Sequence, residues 1–210
     1  MTNWANNLVM YDRETGEPIQ QITGTAEYSD RTMSHYPTFR LSYANFKRAY
    51  PDGEVYYNPL QEFPWYRKLA GVPFQVFAGP VLRLNRDPST NAMAFPIDDN
   101  DTRLHRKDHV YGMMIGGENV VYTLDFILEN NGVVHATVGG QSIVIAYDEE
   151  FDSVGAFYTN TTVSGVDVYG NSDAGKLNRV ETFQSEVLWG VWQHFMFDTI
   201  INPEGTVTGT

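Results

Sequence analysis

The stretch VVHATVGGQSIVIAY, from Val133 to Tyr147, decides the fold class. Val133–Val138 and Ser142–Tyr147 are rich in valine and isoleucine, which favour the pleated surface of a sheet. Between them lies Gly139-Gly140-Gln141, a strong hairpin signal, because glycine accepts the positive φ angles of a tight turn. The stretch therefore predicts two antiparallel strands joined by a short turn.

The residues around this hairpin continue a pattern of short strands. Upstream, Val110–Ile115 predicts a strand and Gly116–Asn119 a turn. Val120–Leu128 predicts a strand that runs into a short helix, closed by Asn130-Asn131-Gly132. Downstream, two further strands are predicted at Gly155–Thr159 and Val163–Tyr169. The second half of the chain therefore indicates an antiparallel, mainly β (α+β) architecture.

The first half is less regular. Leu8–Tyr11 and Pro18–Thr23 flank the turn signal Thr15-Gly16, which predicts another hairpin. The stretch from Tyr56 to Pro96 is rich in proline and aromatic residues, and we interpret it as an irregular connector. Short strands are predicted in it near Phe74–Phe77 and Val81–Leu84, and a charged loop follows at Asp98–Asp108.

Two short helices with an aromatic face are predicted at Ser42–Tyr50 and Glu186–Phe197. They match at a constant offset of 146 positions (192 − 46), in that Tyr43, Phe46, Ala49 and Asp52 correspond to Trp189, Trp192, Phe195 and Asp198. An internal duplication explains this match. Coincidence between two short amphipathic helices explains it equally well.

Composition narrows the classes of function. The 210 residues suggest one domain, or one domain of two related halves. A net charge of −12 disfavours binding to nucleic acid and to anionic membranes. The absence of cysteine excludes disulfides, thiolate nucleophiles and cysteine-ligated zinc. Since no run reaches about 18 apolar residues, we expect no membrane span.

Four segments together resemble one family. They are NNLVMYDRETGEPIQQITGTA (Asn6–Ala26), LSYANFKRAYPD (Leu41–Asp52), the long stretch Lys107–Asn160, and VLWGVWQHFMFDT (Val187–Thr199). The chain resembles domain-of-unknown-function family 3179, whose members look like two tandem copies of one β-rich unit. The resemblance implies a single domain over 1–210, with 1–57 as the closing part of a first unit, 58–106 as a connector and 107–210 as a second unit.

Two departures from the family pattern limit what the resemblance implies. Family members usually carry a CPLCG-like stretch upstream of the first hairpin, and the equivalent place in the second copy here, Tyr147–Glu150, has no cysteine. A family tryptophan after the first turn is also replaced in Glu17-Pro18-Ile19. Any activity that needs those thiols is therefore not carried over, and the family itself implies a fold and an exported habit rather than a reaction.

The resemblance also carries an expectation about location. Members usually have leader sequences, whereas Met1–Asn7 is polar and lacks the features of a signal peptide. We therefore expect an extracellular or periplasmic protein that has lost a leader not present in this chain.

Two weak metal patterns lie close together in the sequence. His105 and His109 are four residues apart, a spacing that suits zinc when both lie on one helix face. Asp99 and Asp101 offer oxygen ligands of the kind that calcium prefers. A charged surface loop and a solvated acidic turn explain the same residues more simply, and no other cofactor is indicated.

No catalytic constellation emerges from the sequence, so the leading hypothesis is a non-enzymatic extracytoplasmic binding or structural domain that self-associates or binds a surface partner. One alternative is a metal-assisted hydrolase built from His105, His109, Asp108 and His135. Another is a truncated remnant of a larger active protein. A groove for a sugar or peptide is a further option for certain aromatic residues, although core packing is favoured for them: Trp65, Tyr66, Phe74, Phe77, Trp189 and Trp192.

Overall fold

Two four-stranded sheets, packed against each other, form the centre of the molecule. The computed structural model describes residues 2–56, 76, 79–80, 83–98 and 101–205. In chain order its elements are β1 (Thr2–Trp4), β2 (Asn7–Tyr11), β3 (Pro18–Gln20), α1 (Tyr43–Ala49), a 3-10 helix (Leu84–Arg86), β4 (His109–Ile115), β5 (Glu118–Thr123), α2 (Leu124–Glu129), β6 (Val133–Val138), β7 (Gln141–Asp148), β8 (Ser153–Tyr158), β9 (Asn171–Ser172), β10 (Gly175–Lys176), β11 (Asn178–Arg179), β12 (Gln184–Leu188), α3 (Trp189–Phe195) and β13 (Ile200–Ile201).

The first central sheet has the strand order β12-β4-β5-β13, and the second has the order β11-β8-β7-β6. A three-stranded sheet, β1-β2-β3, and a two-stranded ribbon of β9 and β10 complete the described strands. Pairing is antiparallel except between β13 and β5, which run parallel. The architecture is therefore the predicted antiparallel, β-rich α+β fold with short aromatic helices.

Successive side chains along a strand point to opposite sides of its sheet, so neighbouring residues pack in different core clusters. The facing sides of the two central sheets share the largest cluster, which includes Tyr111, Met113, Tyr122, Ile143 and Ile145. Val110 and Val121 point to the other side of the first sheet, where Trp189 and Trp192 of α3 cover them at 0% exposure. The outer side of the second sheet is covered by Val163 and Val166 from the loop after β8.

Local signals explain the hairpins that the sequence predicted. β6 and β7 are joined by a two-residue turn in which Gly139 has φ +54° and Gly140 has φ +76°. A Cβ at Gly139 would lie 2.1 Å from the carbonyl oxygen of Ile115, which belongs to the neighbouring β4–β5 hairpin. The close approach of the two hairpins therefore also requires glycine here. The helix boundaries follow capping side chains, since Ser42 Oγ accepts a hydrogen bond from Asn45 N (3.2 Å) and Thr123 Oγ1 accepts one from Phe126 N (3.4 Å).

The first hairpin is fixed by Asp12. Its backbone pairs with Glu17 and Gly16, and its Oδ1 accepts a hydrogen bond from Glu14 N (2.9 Å). Arg31 Nη2 donates to Oδ2 at 2.5 Å, and this bond is the main reason that the pKa of Asp12 is lowered to about 2. The strand that follows ends at Gln20 rather than at the predicted Thr23, because Gln20 Oε1 and its carbonyl accept hydrogen bonds from the next turn.

One predicted strand is absent, and one predicted helix is shorter than expected. Val163–Tyr169 is a loop with a single bridge between Val166 and Ser172, since the Asp167 carboxylate binds the N–H groups of Tyr169 and Asn171 and turns the chain. The second aromatic helix begins at Trp189 and not at Glu186. The residues before Trp189 form β12 instead, because the free edge of β4 offers them hydrogen-bond partners.

The predicted connector strands are also corrected where they are described. Val76 and Arg83 are helical, and Leu84 begins the 3-10 helix. The rest of Phe74–Phe77 and Val81–Leu84 lies outside the described residues, as does much of 58–106. Buried Lys107 holds residues 84–90 of this connector, because its Nζ donates to the carbonyls of Leu84 and Asp87 at 2.6 Å, and to Thr90 Oγ1 at 3.1 Å.

The helices α1 and α3 are both seven residues long and lie at the offset seen in the sequence. Both end in the same way: Tyr50 N donates to the Phe46 carbonyl and Met196 N to that of Trp192, each at 2.8 Å. The interpretation of an internal duplication rests on this match. Within the described part of the chain, no helix is long and apolar enough to cross a bilayer.

Candidate functional site

The predicted metal ligands have separate partners. The His105 ring contacts the Asn91 side chain, and Asp101 is paired with Arg103, whose Nε lies 2.9 Å from Oδ2. This hydrogen bond is the main cause of the lowered pKa of Asp101. Asp99 lies outside the described residues. Over the ranges that the structure describes, no three histidine, aspartate or glutamate side chains converge as a metal site would require.

His109 lies instead beside an ion pair. Arg40 is bonded to the carboxylate of Glu186, and His109 Nδ1 lies 3.2 Å from the Glu186 carbonyl oxygen. Burial, followed by the charge of Arg40, lowers the pKa of His109, while Asp108 raises it. Glu186 adopts φ +55°, at the irregularity where β12 pairs with β4. The guanidinium ion beside His109 disfavours a second cation at this position.

All five histidines fasten one segment of the chain to another. His35 Nε2 lies 3.3 Å from the Thr23 carbonyl oxygen. His135 Nε2 accepts a hydrogen bond from Val163 N at 3.1 Å, and His194 Nδ1 accepts one from Asp98 N at 3.0 Å. Together with the contacts of His105 and His109, these bonds engage every imidazole with a backbone group or an amide. These contacts join chain segments and do not resemble a nucleophile and base pair.

A polar cleft offers a better candidate site. It has a volume of about 360 Å³ and lies between residues of the N-terminal part of the chain (7–38) and the segment 181–187 that leads into β12. We call it the inter-unit cleft, after the two units that the sequence predicts on its two sides. Its apolar floor is formed by Ile22 and Phe183, which are each 2% exposed, together with Val187. A cleft of this size with a rigid floor suits one small ligand.

The walls of the inter-unit cleft carry amides and hydroxyls. The side-chain nitrogen Nδ2 of Asn7 is buried and has no hydrogen-bond partner among the described residues. Gln184 crosses the cleft and donates from Nε2 to the Ile22 carbonyl at 2.8 Å, which ties the two walls together. Thr38 Oγ1 and the Phe183 carbonyl make a long contact of 3.5 Å on the same wall. An unpaired buried donor costs free energy until an acceptor satisfies it.

The electrostatics of the cleft are mildly negative. Glu181 lines it, and Tyr158 donates its hydroxyl hydrogen to Glu181 Oε2 at 3.2 Å. Burial, and then the charge of Glu181, raises the pKa of Tyr158, so this donor keeps its proton at neutral pH. The His35 imidazole and the Tyr36 phenol are the other ionisable groups among the cleft's described lining residues. These residues include no lysine or arginine.

An aromatic recess lies beside α1. It has a volume of about 690 Å³ and is lined mainly by aromatic and aliphatic side chains, among them Phe46 and Tyr50, whose ring centroids are 5.9 Å apart. Trp189 and Trp192, considered above for a groove, are fully buried in the core instead. The other aromatic residues proposed for that groove, from Trp65 to Phe77, lie outside the described residues.

Sequence reasoning missed the inter-unit cleft because its residues come from three distant segments. Asn7 precedes the first predicted hairpin, Tyr36 follows an irregular loop, and Gln184 lies in a strand that was not predicted. No spacing rule links such positions. Asn7 and Gln21 do lie within Asn6–Ala26, the most distinctive segment of the chain, and this was the one available signal.

Comparison with known proteins identifies a family, but that family has no assigned biochemical function. The model of the family DUF3179, described as a protein of unknown function, matches residues 4–199. Neither the curated proteins nor the solved structures contain a significant match to this chain. The matched range includes the hairpins at Asp12 and Gly139, both aromatic helices and every residue that is described as lining the inter-unit cleft. Because the match extends over well more than half of its length, the chain belongs to the DUF3179 family.

Proposed function

We propose that this chain is a non-enzymatic, extracytoplasmic binding domain whose ligand occupies the inter-unit cleft. The observation that carries the proposal is the cleft itself: a buried apolar floor between two walls that carry amide and hydroxyl side chains. Polar side chains over an apolar floor are the lining that orients a small ligand.

The roles of the titratable groups support binding rather than catalysis. The imidazoles hold loops in place, as described above, and the carboxylates Asp12 and Asp101 are paired with Arg31 and Arg103. General acid–base chemistry needs a group that is within reach of a substrate and able to change its protonation state there. In the inter-unit cleft the ionisable groups are His35, Tyr36 and Glu181, and His35 is engaged with a backbone carbonyl.

The proposed extracytoplasmic location is supported by the family membership, because members usually have leader sequences. Fractionation of cells that carry the complete gene tests this part. We expect the protein in the periplasm or medium, and recovery in the cytoplasmic fraction alone would contradict the proposal.

Ligand-observed NMR tests the binding function. The native chain is screened against a mixture of neutral saccharides, amino acids, dipeptides and nucleotides, next to the variants Thr38→Trp and Asp30→Trp. Thr38 lines the cleft, and its replacement fills the space, whereas Asp30 is an exposed residue that does not line it. We expect one class of compound to bind the native chain and Asp30→Trp, with binding at least about tenfold weaker in Thr38→Trp.

Two outcomes would overturn the proposal. Conversion of any compound to a product would contradict a non-enzymatic domain. Absence of binding, or binding that Thr38→Trp leaves unchanged, would contradict the assignment of the ligand site to the inter-unit cleft.

A further inference from the structure

Resting on the proposed binding function, we infer that the ligand of the inter-unit cleft is a neutral saccharide. Three independent properties of the cleft lead to this class: its charge, its mixture of donors and acceptors, and an exposed aromatic ring at its side. The volume of about 360 Å³ matches a ligand of about one or two sugar rings.

Charge excludes anionic ligands. The cleft presents the carboxylate of Glu181, with no lysine or arginine among its described lining residues. The chain as a whole carries a net charge of −12. Phosphates, nucleotides and sugar acids would meet repulsion without the arginine or lysine pairing that such groups normally receive. The free carboxylate of an amino acid would meet the same repulsion.

Donors and acceptors in the cleft complement hydroxyl groups. Amide and hydroxyl side chains line both sides, with Asn7 and Thr38 on one wall and Ser185 on the other. Glu181 Oε2 accepts a hydrogen bond from Tyr158, and its exposed carboxylate is able to accept others. A hydroxyl group both donates and accepts, so a polyol satisfies both walls at once, whereas a purely apolar ligand satisfies neither.

Tyr36 supplies an exposed aromatic ring on which a sugar can stack. Its side chain lines the cleft and is 79% exposed, in a segment that His35 and Thr38 tie to Thr23 and Phe183. The C–H face of a sugar ring packs on an aromatic ring, and the tyrosine hydroxyl can bond the sugar edge. An exposed tyrosine at the rim of a polar cleft is therefore placed to stack on a saccharide whose hydroxyls reach Glu181 and Asn7.

Titration calorimetry with defined probes tests the inference. Maltose, cellobiose and N,N′-diacetylchitobiose are the neutral saccharides, galacturonic acid is the anionic comparison, and glycylglycine is the peptide comparison. We expect at least one neutral saccharide to bind, and galacturonic acid to bind at least about tenfold more weakly.

Matched variants locate the binding. Tyr36→Ala removes the ring and should weaken saccharide binding by about tenfold, while Tyr36→Phe keeps the ring and should retain most of it. Tyr28→Ala is the control, since Tyr28 is also 79% exposed but does not line the cleft. Glu181→Gln should weaken binding by about tenfold through loss of a charged acceptor. Far-ultraviolet circular dichroism checks that all four variants are folded.

The outcomes separate this inference from the proposed function. Saccharide binding that is lost in Tyr36→Ala and kept in Tyr28→Ala supports both. Binding of glycylglycine or galacturonic acid alone, in a manner sensitive to Tyr36→Ala, overturns the saccharide and leaves a binding cleft. Saccharide binding that is indifferent to Tyr36→Ala and Glu181→Gln overturns the site, and no binding by any probe or by the wider mixture overturns both proposals.

Discussion

At the scale of single residues, His135 shows how an imidazole is used in this fold. It lies on β6, and its Nε2 accepts a hydrogen bond from the backbone N–H of Val163 at 3.1 Å. Only an unprotonated nitrogen can accept that bond. Burial lowers the pKa of His135, and nearby Asp173 opposes the shift. The contact thereby holds the loop that covers the outer face of the second central sheet.

This arrangement predicts a pH dependence with a defined sign. The folded pKa of His135 is below its ordinary value of 6.5, so the unfolded chain binds the proton first as the pH falls. The contribution of His135 to stability is complete above about pH 6.5 and is lost as the pH falls toward the folded pKa. Thermal unfolding of the native chain and of His135→Gln, between about pH 7.5 and 5, measures the difference.

Glutamine keeps an acceptor but cannot be protonated, so the fall in melting temperature should be smaller in His135→Gln than in the native chain. His105→Gln is the comparison, because that ring contacts an exposed asparagine side chain and not the loop that His135 holds. An identical pH slope in the native chain and His135→Gln would contradict the assigned role.

At the scale of elements, the contact between β4 and α3 depends on Gly112. A Cβ at this position would lie 2.4 Å from the Trp192 ring, closer than any unstrained contact. Trp192 is fully buried, and its Nε1 donates to Thr199 Oγ1 at 3.0 Å, so the ring has no room to withdraw. The glycine is required by close approach rather than by its backbone angles.

Gly112→Ala is therefore expected to lower the free energy of unfolding by about 1–3 kcal/mol, the range for an overpacked core. Gly165→Ala is the matched control, since its Cβ would meet no heavy atom within 4 Å. Chemical denaturation with urea measures both. Equal stability of Gly112→Ala and the native chain would show that α3 does not pack on β4 as described.

The elements also show which local signals are sufficient. The hairpins at Gly139 and at Asp12 were predictable because the turn residues and their flanking strands are adjacent in sequence. The loop at Val163–Tyr169 was predicted as a strand because its valines suit a sheet, yet Val163 and Val166 are buried by packing on β7 and β8. Likewise, β12 forms because β4 has a free edge, and that edge is a property of the assembled sheet.

At the scale of the whole molecule, the segment Asn6–Ala26 contributes to both the fold and the candidate site. Asn6 adopts φ +63° and its side chain bonds both backbone groups of Phe95, which joins the first hairpin to the connector. Asn7 then faces the inter-unit cleft, and Ile22 forms part of its floor. The family membership and the β-rich fold could be predicted from this segment and its partners.

The candidate site itself could not be predicted. Its walls meet only when the N-terminal hairpin docks against the residues before α3, with Gln184 bonded to the Ile22 carbonyl. The sequence instead suggested His105, His109, Asp99 and Asp101, because metal patterns are recognised from neighbouring residues. A cleft made of amides and hydroxyls from distant positions has no comparable local pattern.

Chemical-shift mapping tests the central claim, that the inter-unit cleft is the ligand site, most directly. Proton–nitrogen spectra of the labelled native chain are recorded while the saccharide or other compound that binds in the screens is added. The account predicts that the side-chain amides of Asn7 and Gln184 and the backbone amide of Tyr36 shift together and saturably. Shifts confined to the aromatic recess around Phe46 and Tyr50, with those three signals unmoved, would contradict it.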